Sequence, residues 1–447
     1  MPNTSLRGWG RTAPTIANVV TPRSVQDVRG ALAAAGPRGV IARGLGRSYG
    51  DPAQNAGGVV LDITGLSAIH SIDAGSGHVV VDAGVSLDTL MRRALPFGLW
   101  LPVLPGTRQV TVGGAIGADI HGKAHHVVGS FGNHVVSLDL VTADGAVSTL
   151  TPDDDLFWAT VGGMGLTGVI VAATLALHHV ETAYFTVDTE QIDNLADLMA
   201  RQSVDDERYA ETVSWFDAVT TGAHFGRGIL MRANHSTLDE LPPRLRRDPL
   251  RFDAPQLLTV PDVFPPGLLN RVTGKLFSEA WYRKSPTRFG AIQNITQFLH
   301  PLDIIGEWNR GYGPRGFLQY QFVVPMDRGD VVRSVLERVS DAGHVSALNV
   351  LKRFGAGSRA PLSFPMPGWT LCLDIPIGSG LGALCDELDT LVLDAGGRHY
   401  LAKESRTTAE AIRRGYPRLD EWRTIRDAAD PRGVFTSDLS RRLELTP

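Results

Sequence analysis

The sequence predicts an α+β chain built from two units, and three observations carry that reading. Its 447 residues exceed what one ordinary core encloses. The apolar pattern changes character near residue 180. Beyond that point, strand-like runs alternate with amphipathic helices, as in one antiparallel sheet with helices on one side. The expected boundaries are 1–181, 182–397 (with an irregular 241–290) and a returning segment, 398–447. A hydrophobic content of 43% with 20% charge is that of a soluble enzyme. Net charge is −4 without a long basic block, which argues against nucleic acid as a partner. Cys372 and Cys385 are too few for a disulfide framework. No apolar run approaches the roughly 18 residues of a membrane span, and no secretory signal is visible. A soluble or peripheral protein is expected.

In order along the chain, Ser24 is placed to cap a helix that Gly36 stops. Gly39–Ala42 reads as a strand entering a glycine-rich turn. Strands are expected at Val59–Leu66 and Val79–Ala83. Ser86 caps a helix whose Leu87, Leu90, Met91 and Ala94 follow the helical period. Val135–Leu150 is a hairpin about Asp144-Gly145; Pro152–Val161 is helical and Val169–Leu177 a buried strand. The second unit should hold strands at Tyr184–Thr189, Ile229–Ala233, Phe317–Val324, Ser346–Phe354 and Trp369–Ile377. Helices are expected at Ile192–Gln202, Arg328–Ala342 and Leu381–Ala395. A last strand, Gly397–Lys403, precedes a helical, basic Arg406–Ala429. Between 241 and 290 nine Lys/Arg face four Asp/Glu amid prolines and aromatics, which reads as a long functional loop.

The most informative stretch runs from Pro105 to His134. Gly106, Gly113, Gly114, Gly117 and Gly122 fall within seventeen residues, a density that lets backbone amides approach an anionic ligand. Thr107, Thr111, Ser130 and Asn133 add donors, and Asp119, His121, Lys123, His125 and His126 lie among them. The stretch reads as too polar for core and too glycine-rich for a helix: a cofactor cradle with chemistry attached. Gly163-Met-Gly-Leu-Thr-Gly168 fits G-x-G-x-x-G, yet a helix precedes it and a strand follows, the reverse of a dinucleotide-binding βαβ unit. Together with Gly44-Leu-Gly-Arg-Ser-Tyr-Gly50, these turns suit one long diphosphate cofactor gripped at several points. In the second unit, period-2 alternation puts Gln319 with Gln321, Lys352 with Phe354, and Thr370 with Cys372 on shared strand faces. Such a face either meets solvent or roofs a polar site.

Arg43-Gly-Leu-Gly-Arg-Ser-Tyr-Gly-Asp51, Leu104-Pro-Gly-Thr with Val112-Gly-Gly, and Gly162-Gly-Met-Gly-Leu-Thr-Gly168 resemble the FAD-binding half of the vanillyl-alcohol oxidase superfamily (PCMH-type fold). So does the end, Tyr416-Pro-Arg-Leu-Asp-Glu-Trp-Arg with Asp430-Pro-Arg-Gly-Val-Phe. Gly8-Trp-Gly-Arg-Thr-Ala-Pro14, Asp119-Ile-His-Gly-Lys, Gly129-Ser-Phe-Gly-Asn-His134 and Gly368-Trp-Thr-Leu-Cys-Leu-Asp-Ile-Pro376 resemble the decaprenylphosphoryl-β-D-ribose 2′-oxidase family of actinobacterial cell-wall synthesis. That likeness runs nearly end to end.

The resemblance implies FAD, held noncovalently because Tyr49 and Ser48 stand where many relatives attach it to a histidine. It implies cofactor contacts from Arg43, Gly44, Leu45, Gly46, Arg47, Ser48, Tyr49, Gly106, Thr107, Thr111, Val112, Gly113, Gly114, Gly117, Asp119, His121, Gly122, Ser130, Gly168, Val169 and Tyr400. It further implies a substrate pocket from Tyr49, Lys123, Trp215, Gln319, Gln321, Lys352, Phe354, Thr370, Cys372 and Lys403. Thr370 stands where close relatives carry asparagine. Lys403 is expected to stabilise the reduced flavin or a substrate oxyanion, His121 or Lys123 to steer the sugar or take its proton, with Gln321 and Cys372 beside them. No metal is expected: His121, His125 and His126 lack a fourth ligand at suitable spacing. The implied partners are a polyprenylphosphoryl ribose, an NADH-dependent keto-reductase subunit and the surface of a membrane, in the cell envelope. An oxidase of a free alditol or aldonolactone is the competing reading, and a noncatalytic carrier of lipid-linked sugar a third.

Overall fold

The computed structural model describes residues 3–446. Two small sheets organise the N-terminal part. In the first, β1 (Asn3–Leu6), β2 (Thr15–Val20), β3 (Val40–Arg43) and β4 (Val59–Asp62) lie in the order β1-β2-β4-β3, with β4 parallel to both neighbours. Helix α1 (Val25–Ala33) links β2 to β3. Ser24 caps it, its hydroxyl accepting from the Asp27 amide at 3.2 Å. The second sheet is antiparallel: β5 (Ile69–Ile72), β6 (His78–Asp82), β7 (Val135–Val141), β8 (Val147–Leu150) and β9 (Val169–Ala176), in the order β5-β6-β9-β7-β8. Between β6 and β7 run α2 (Leu87–Ala94), α3 (Val112–Gly117) and α4 (His125–Val128); α5 (Asp155–Thr160) follows β8.

Helix α3 corrects the expectation that the glycine-rich stretch is not helical. Thr111 caps it, accepting from the Gly114 amide at 3.1 Å, and Val112, Ala115 and Ile116 bury one face. That anchorage outweighs the roughly 1 kcal/mol that each helical glycine costs.

The second unit is an eight-stranded sheet: β10 (Tyr184–Ile192), β11 (Glu211–Phe216), β12 (Gly228–His235), β13 (Arg288–Asn294), β14 (Phe317–Pro325), β15 (Asn349–Phe354), β16 (Gly368–Pro376) and the short β17 (Arg398–His399). Their spatial order is β13-β10-β12-β11-β15-β16-β14-β17, antiparallel throughout. Helices α6 (Leu195–Ser203), α9 (Gly329–Asp341) and α10 (Leu381–Asp394) cover one face, where Leu230, Phe322, Leu351 and Leu371 join their apolar stripes. The opposite face looks toward the N-terminal sheets. Two further helices stand on that side, α7 (Arg271–Lys284) and α8 (Ile295–Leu299).

Several expectations need correction here. Strand β11 was missed, because all six of its residues are buried and Glu211, Thr212 and Ser214 mask the run. The irregular 241–290 contains α7, closed by a capping box in which Asn270 and Thr273 serve each other, and it leads into β13. The expected Gly397–Lys403 strand shrinks to β17. The expected helix Arg406–Ala429 is two, α11 (Ala409–Gly415) and α12 (Leu419–Ala429). Pro417 separates them by driving Tyr416 to φ −122° and ψ 83°.

The C-terminal residues pack back on the N-terminal sheets. The Trp422 indole donates to Ala159 O at 2.9 Å and Phe435 bridges to Val40 beside β3. Arg442, in α13 (Asp438–Arg442), pairs with Asp51 at 2.7 Å and Glu404 at 2.9 Å.

Candidate active site

A cavity of about 1440 Å³ separates the N-terminal sheets from the face of the large sheet opposite α6, α9 and α10. It exceeds the roughly 300–1,000 Å³ of a small-ligand pocket, leaving space for a dinucleotide and a second molecule. One end is glycine-walled. Gly44, Gly46, Gly106, Gly113, Gly114, Gly117, Gly165 and Gly168 all line it, and Gly46, Gly165 and Gly168 have positive φ. A Cβ on Gly44 would stand 2.2 Å from the Thr111 hydroxyl, so the two glycine-rich turns meet with no room between them. The amides of Leu45, Gly46, Arg47 and Ser48 donate to no protein acceptor among the described residues. Four successive free amides form a nest for an anionic group. The guanidiniums beside them are turned into the protein: Arg43 donates to Ala53 O and Arg7 O. Arg47 lies 4.0 Å over the Trp9 ring and donates to Gln109 O. With both guanidiniums committed, the donors this turn offers a pyrophosphate are its main-chain amides and the Ser48 hydroxyl, which fits the diphosphate of FAD.

The other end is polar and belongs to the sheet. Gln319 and Gln321 on β14, Lys352 on β15, Cys372 on β16 and Trp215 on β11 line it with Tyr49, His121, Lys123, Tyr400 and Lys403. Strand alternation and register make this possible. Gln321 is opposite Cys372, and Cys372 opposite Val350, so their side chains share a face. Gln321 donates to His121 Nε2 at 3.1 Å and to the Thr370 hydroxyl at 3.4 Å, while Thr370 donates to Phe322 O. With Thr370 committed as a donor, Gln321 must present its NH₂, and His121 must accept at Nε2 and carry its proton on Nδ1. Burial, with Lys352 nearby, holds the imidazole well below its ordinary pKa. His121 is thus a neutral N–H donor whose Nδ1 has no protein partner.

Burial shifts the remaining groups. It pushes the Cys372 thiol up to about 12, helped by Asp374. It lowers Lys352 to about 8. It lowers Lys403 too, opposed by Cys372 and Asp374. The Lys403 ammonium sits 3.8 Å over the Tyr49 ring. Lys123 is lowered by burial against the pull of Glu211; its ammonium donates to Phe298 O and lies 4.4 Å from that ring. It clamps α8 as well as facing the cavity.

Six sequence-predicted site residues stand outside the cavity wall. Val112 and Val169 are buried in the N-terminal core. Asp119 accepts from the Ser130 hydroxyl (2.8 Å), the Gly132 amide (2.9 Å) and the Ser363 hydroxyl, so Asp119 and Ser130 brace the cradle from behind. Phe354 backs His121 and His125, with centroids at 4.8 and 4.5 Å, and Thr370 backs Gln321. The remaining predicted residues come together on one cavity. Gly165 lies in the 163–168 turn read as gripping the cofactor, and Trp281 in the 241–290 stretch whose aromatics and cations suit a lipid or membrane surface; sequence reasoning missed Asp374. Asp374 accepts the Gln319 amide at 2.5 Å and continues the Thr370–Cys372 alternation, a signal that was present.

Comparison with known proteins accords with this geometry. A family model described as an FAD binding domain matches residues 16–151, and one described as D-arabinono-1,4-lactone oxidase matches 317–443. The chain is 56% identical to decaprenylphosphoryl-beta-D-ribose oxidase of Mycolicibacterium smegmatis, over 98% of this chain and 97% of that protein. It is 25% identical to L-gulono-1,4-lactone dehydrogenase of Mycobacterium tuberculosis, over 95% of each. A cavity with a main-chain nest at one end and a lysine- and glutamine-bearing sheet at the other, in a chain so similar to that oxidase, is the site of an FAD-dependent oxidoreductase acting on a CH–OH group: the chain belongs to the decaprenylphosphoryl-β-D-ribose oxidase family of the vanillyl-alcohol oxidase superfamily.

Proposed function

We propose that this chain oxidises the 2′-hydroxyl of a decaprenylphosphoryl-β-D-ribose to the 2′-ketone, the first half of an epimerisation that supplies arabinose to cell-wall arabinan. One observation carries the reading. The sheet face that meets the glycine-walled end bears Gln319, Gln321, Lys352 and Cys372, with Lys403 opposite, a set that serves a polyhydroxylated substrate and not a core.

Oxidising a secondary alcohol takes a hydride from carbon and a proton from oxygen. FAD, when bound, supplies the hydride acceptor. The chain supplies the rest. Gln319, held through its NH₂ by Asp374, turns its carbonyl oxygen, which has no protein partner, toward sugar hydroxyls. His121 donates from Nδ1. Lys352, lowered to about 8, is an ammonium in most molecules at pH 7; its minor free-amine form, which burial makes accessible near neutral pH, takes the proton leaving the hydroxyl. Lys403 holds positive charge beside Tyr49, where negative charge develops. Cys372, protonated at pH 7, shapes the wall without acting as a nucleophile.

The ketone passes to an NADH-dependent reductase subunit. The chain works at the plasma membrane of the cell envelope, resting on α7 and its flank. Val272 (68% exposed), Leu276 (66%) and Phe289 (62%) stand there among Arg271, Lys275, Arg283, Lys284 and Arg288, the composition of an anionic interfacial surface. No helix among the described residues is long and apolar enough to cross a membrane. Anaerobic mixing with farnesylphosphoryl ribose should bleach the flavin absorption in one turnover. Bleaching by a free aldonolactone or alditol, with none by the lipid-linked ribose, would favour the competing oxidase.

A further inference from the structure

The cavity does not end at the polar groups. From Cys372 the register runs sideways across the sheet to Val350 and then Trp215. One row over, it runs from Val213 to Met231, to Thr189 and to Arg288 on the edge strand. Val350, Trp215, Val213, Met231, Thr189 and Ala291 all line the cavity. Four inter-strand steps separate β15 from edge strand β13, so this floor is roughly 19 Å long. It is apolar but for Thr189 and, on the edge strand, Gln293. Helix α7 roofs it: Phe277 and Trp281 stack at 6.2 Å, and Trp281 approaches Trp215 at 6.3 Å. The Trp281 indole N–H is buried and has no protein partner. At the open end Lys284 and Arg288 form no ion pair among the described residues, and exposed Phe289 follows.

An apolar trough this long, reached from a sugar-sized polar end past a buried indole N–H with no protein partner, has the order of parts of a lipid-linked sugar phosphate: sugar, phosphate, prenyl chain. Building on the substrate reading above, we infer that the trough is the prenyl subsite. The phosphate meets the Trp281 indole N–H, and the first three to four isoprene units lie on the sheet beneath α7. From Trp215 on β11 three strand steps, roughly 14 Å, remain to the edge, and at roughly 5 Å per extended isoprene unit three fill them, with a fourth at the rim. The rest of the chain leaves between Lys284 and Arg288, toward the anionic headgroups those cations suit. The position of Trp281 agrees: Trp215, which it touches, is two strands from Cys372, or roughly 10 Å, about a ribosyl ring and its glycosidic oxygen away.

A ladder of ribosyl phosphates carrying one, two, three, four and six isoprene units tests this on the full-length flavoprotein. kcat/KM is expected to rise at least tenfold per unit up to the third or fourth, then to level off. Ala291→Trp, which fills the outer floor, should move the plateau down to the second unit. Trp281→Phe should raise KM for every phosphorylated substrate with kcat little changed. Oxidation of the one-unit compound with no dependence on length, or a plateau that Ala291→Trp leaves in place, overturns the trough and leaves the substrate reading standing. Failure of every ribosyl phosphate to reduce the flavin overturns both. The wild-type ladder decides the question even where a variant does not fold.

Discussion

Replacing Lys352 by methionine is expected to make the protein more stable and less active, with a stability gain that depends on pH. Lys352 is brought from its ordinary 10.5 to about 8, chiefly by burial. That gap corresponds to about 3 kcal/mol of ammonium desolvation. The side chain is half-buried and faces a wide cavity, so hydration there reduces the effective cost to about 1.5 kcal/mol. Below pH 8 the folded and unfolded chains both carry the proton, and the folded state bears the full cost. Between 8 and 10.5 the folded state gives the proton up first, the unfolded state binds more, and wild-type stability rises with pH. Lys352→Met removes the cost outright. Its melting temperature should exceed wild type by roughly 1 to 2 °C at pH 7 for a chain of this length, and the advantage should vanish by about pH 10.5. Differential scanning fluorimetry of both proteins across that range measures it, and stopped-flow flavin reduction should show at least a hundredfold loss. Equal melting at pH 7, or a difference that persists unchanged above pH 10.5, would refute the assignment of a desolvated ammonium at this place.

Other perturbations address the rest of the site. Gly44→Ala drives a methyl into the Thr111 hydroxyl, costs about 1 kcal/mol by displacing that cap, and should purify largely without FAD. Gly30→Ala, on the exposed face of α1 with nothing within 4 Å, should retain FAD and gain about 0.5–1 kcal/mol; FAD retained by both variants would show that the glycine contact is not what holds the cradle. Asp119→Ala strips Ser130, Ser363 and the Gly132 amide of their acceptor and is expected to destabilise by about 2–4 kcal/mol in urea. Iodoacetamide at pH 7 should label Cys372 and Cys385, both pushed up to about 12, far more slowly than glutathione, and mass spectrometry would expose rapid labelling if the thiols were ionised.

The alternation of β14 and β16 was legible because each places apolar residues toward α9 and α10 and mostly polar ones the other way; β15 shows it less, with Lys352 between Val350 and Phe354 on its cavity face. Seen alone, that pattern leaves solvent and cavity equally open, and the polar face is buried only because the N-terminal sheets close over it. Composition hid other parts. Glycines in α3 imitate a loop since Thr111 and three buried apolar residues hold the helix. Helix α7 was lost among prolines, and its apolar face is spent on a cavity roof, so its sequence lacks the stripe of a helix packed on a core. Asp119 sits amid ligand-facing residues in sequence, yet its backbone, at φ 38°, turns the carboxylate to the reverse side.

The way Arg442 joins Asp51 also bears on how the protein is made. These partners lie 391 residues apart, and Phe435 reaches Val40 across a similar interval. At ribosomal speeds the gap is roughly 20 to 80 s. During that time the nucleotide-gripping turns have emerged while the wedge that braces them is still untranslated. Loading of the flavin therefore belongs to the close of synthesis, and a message cut short near codon 430 should yield a colourless product.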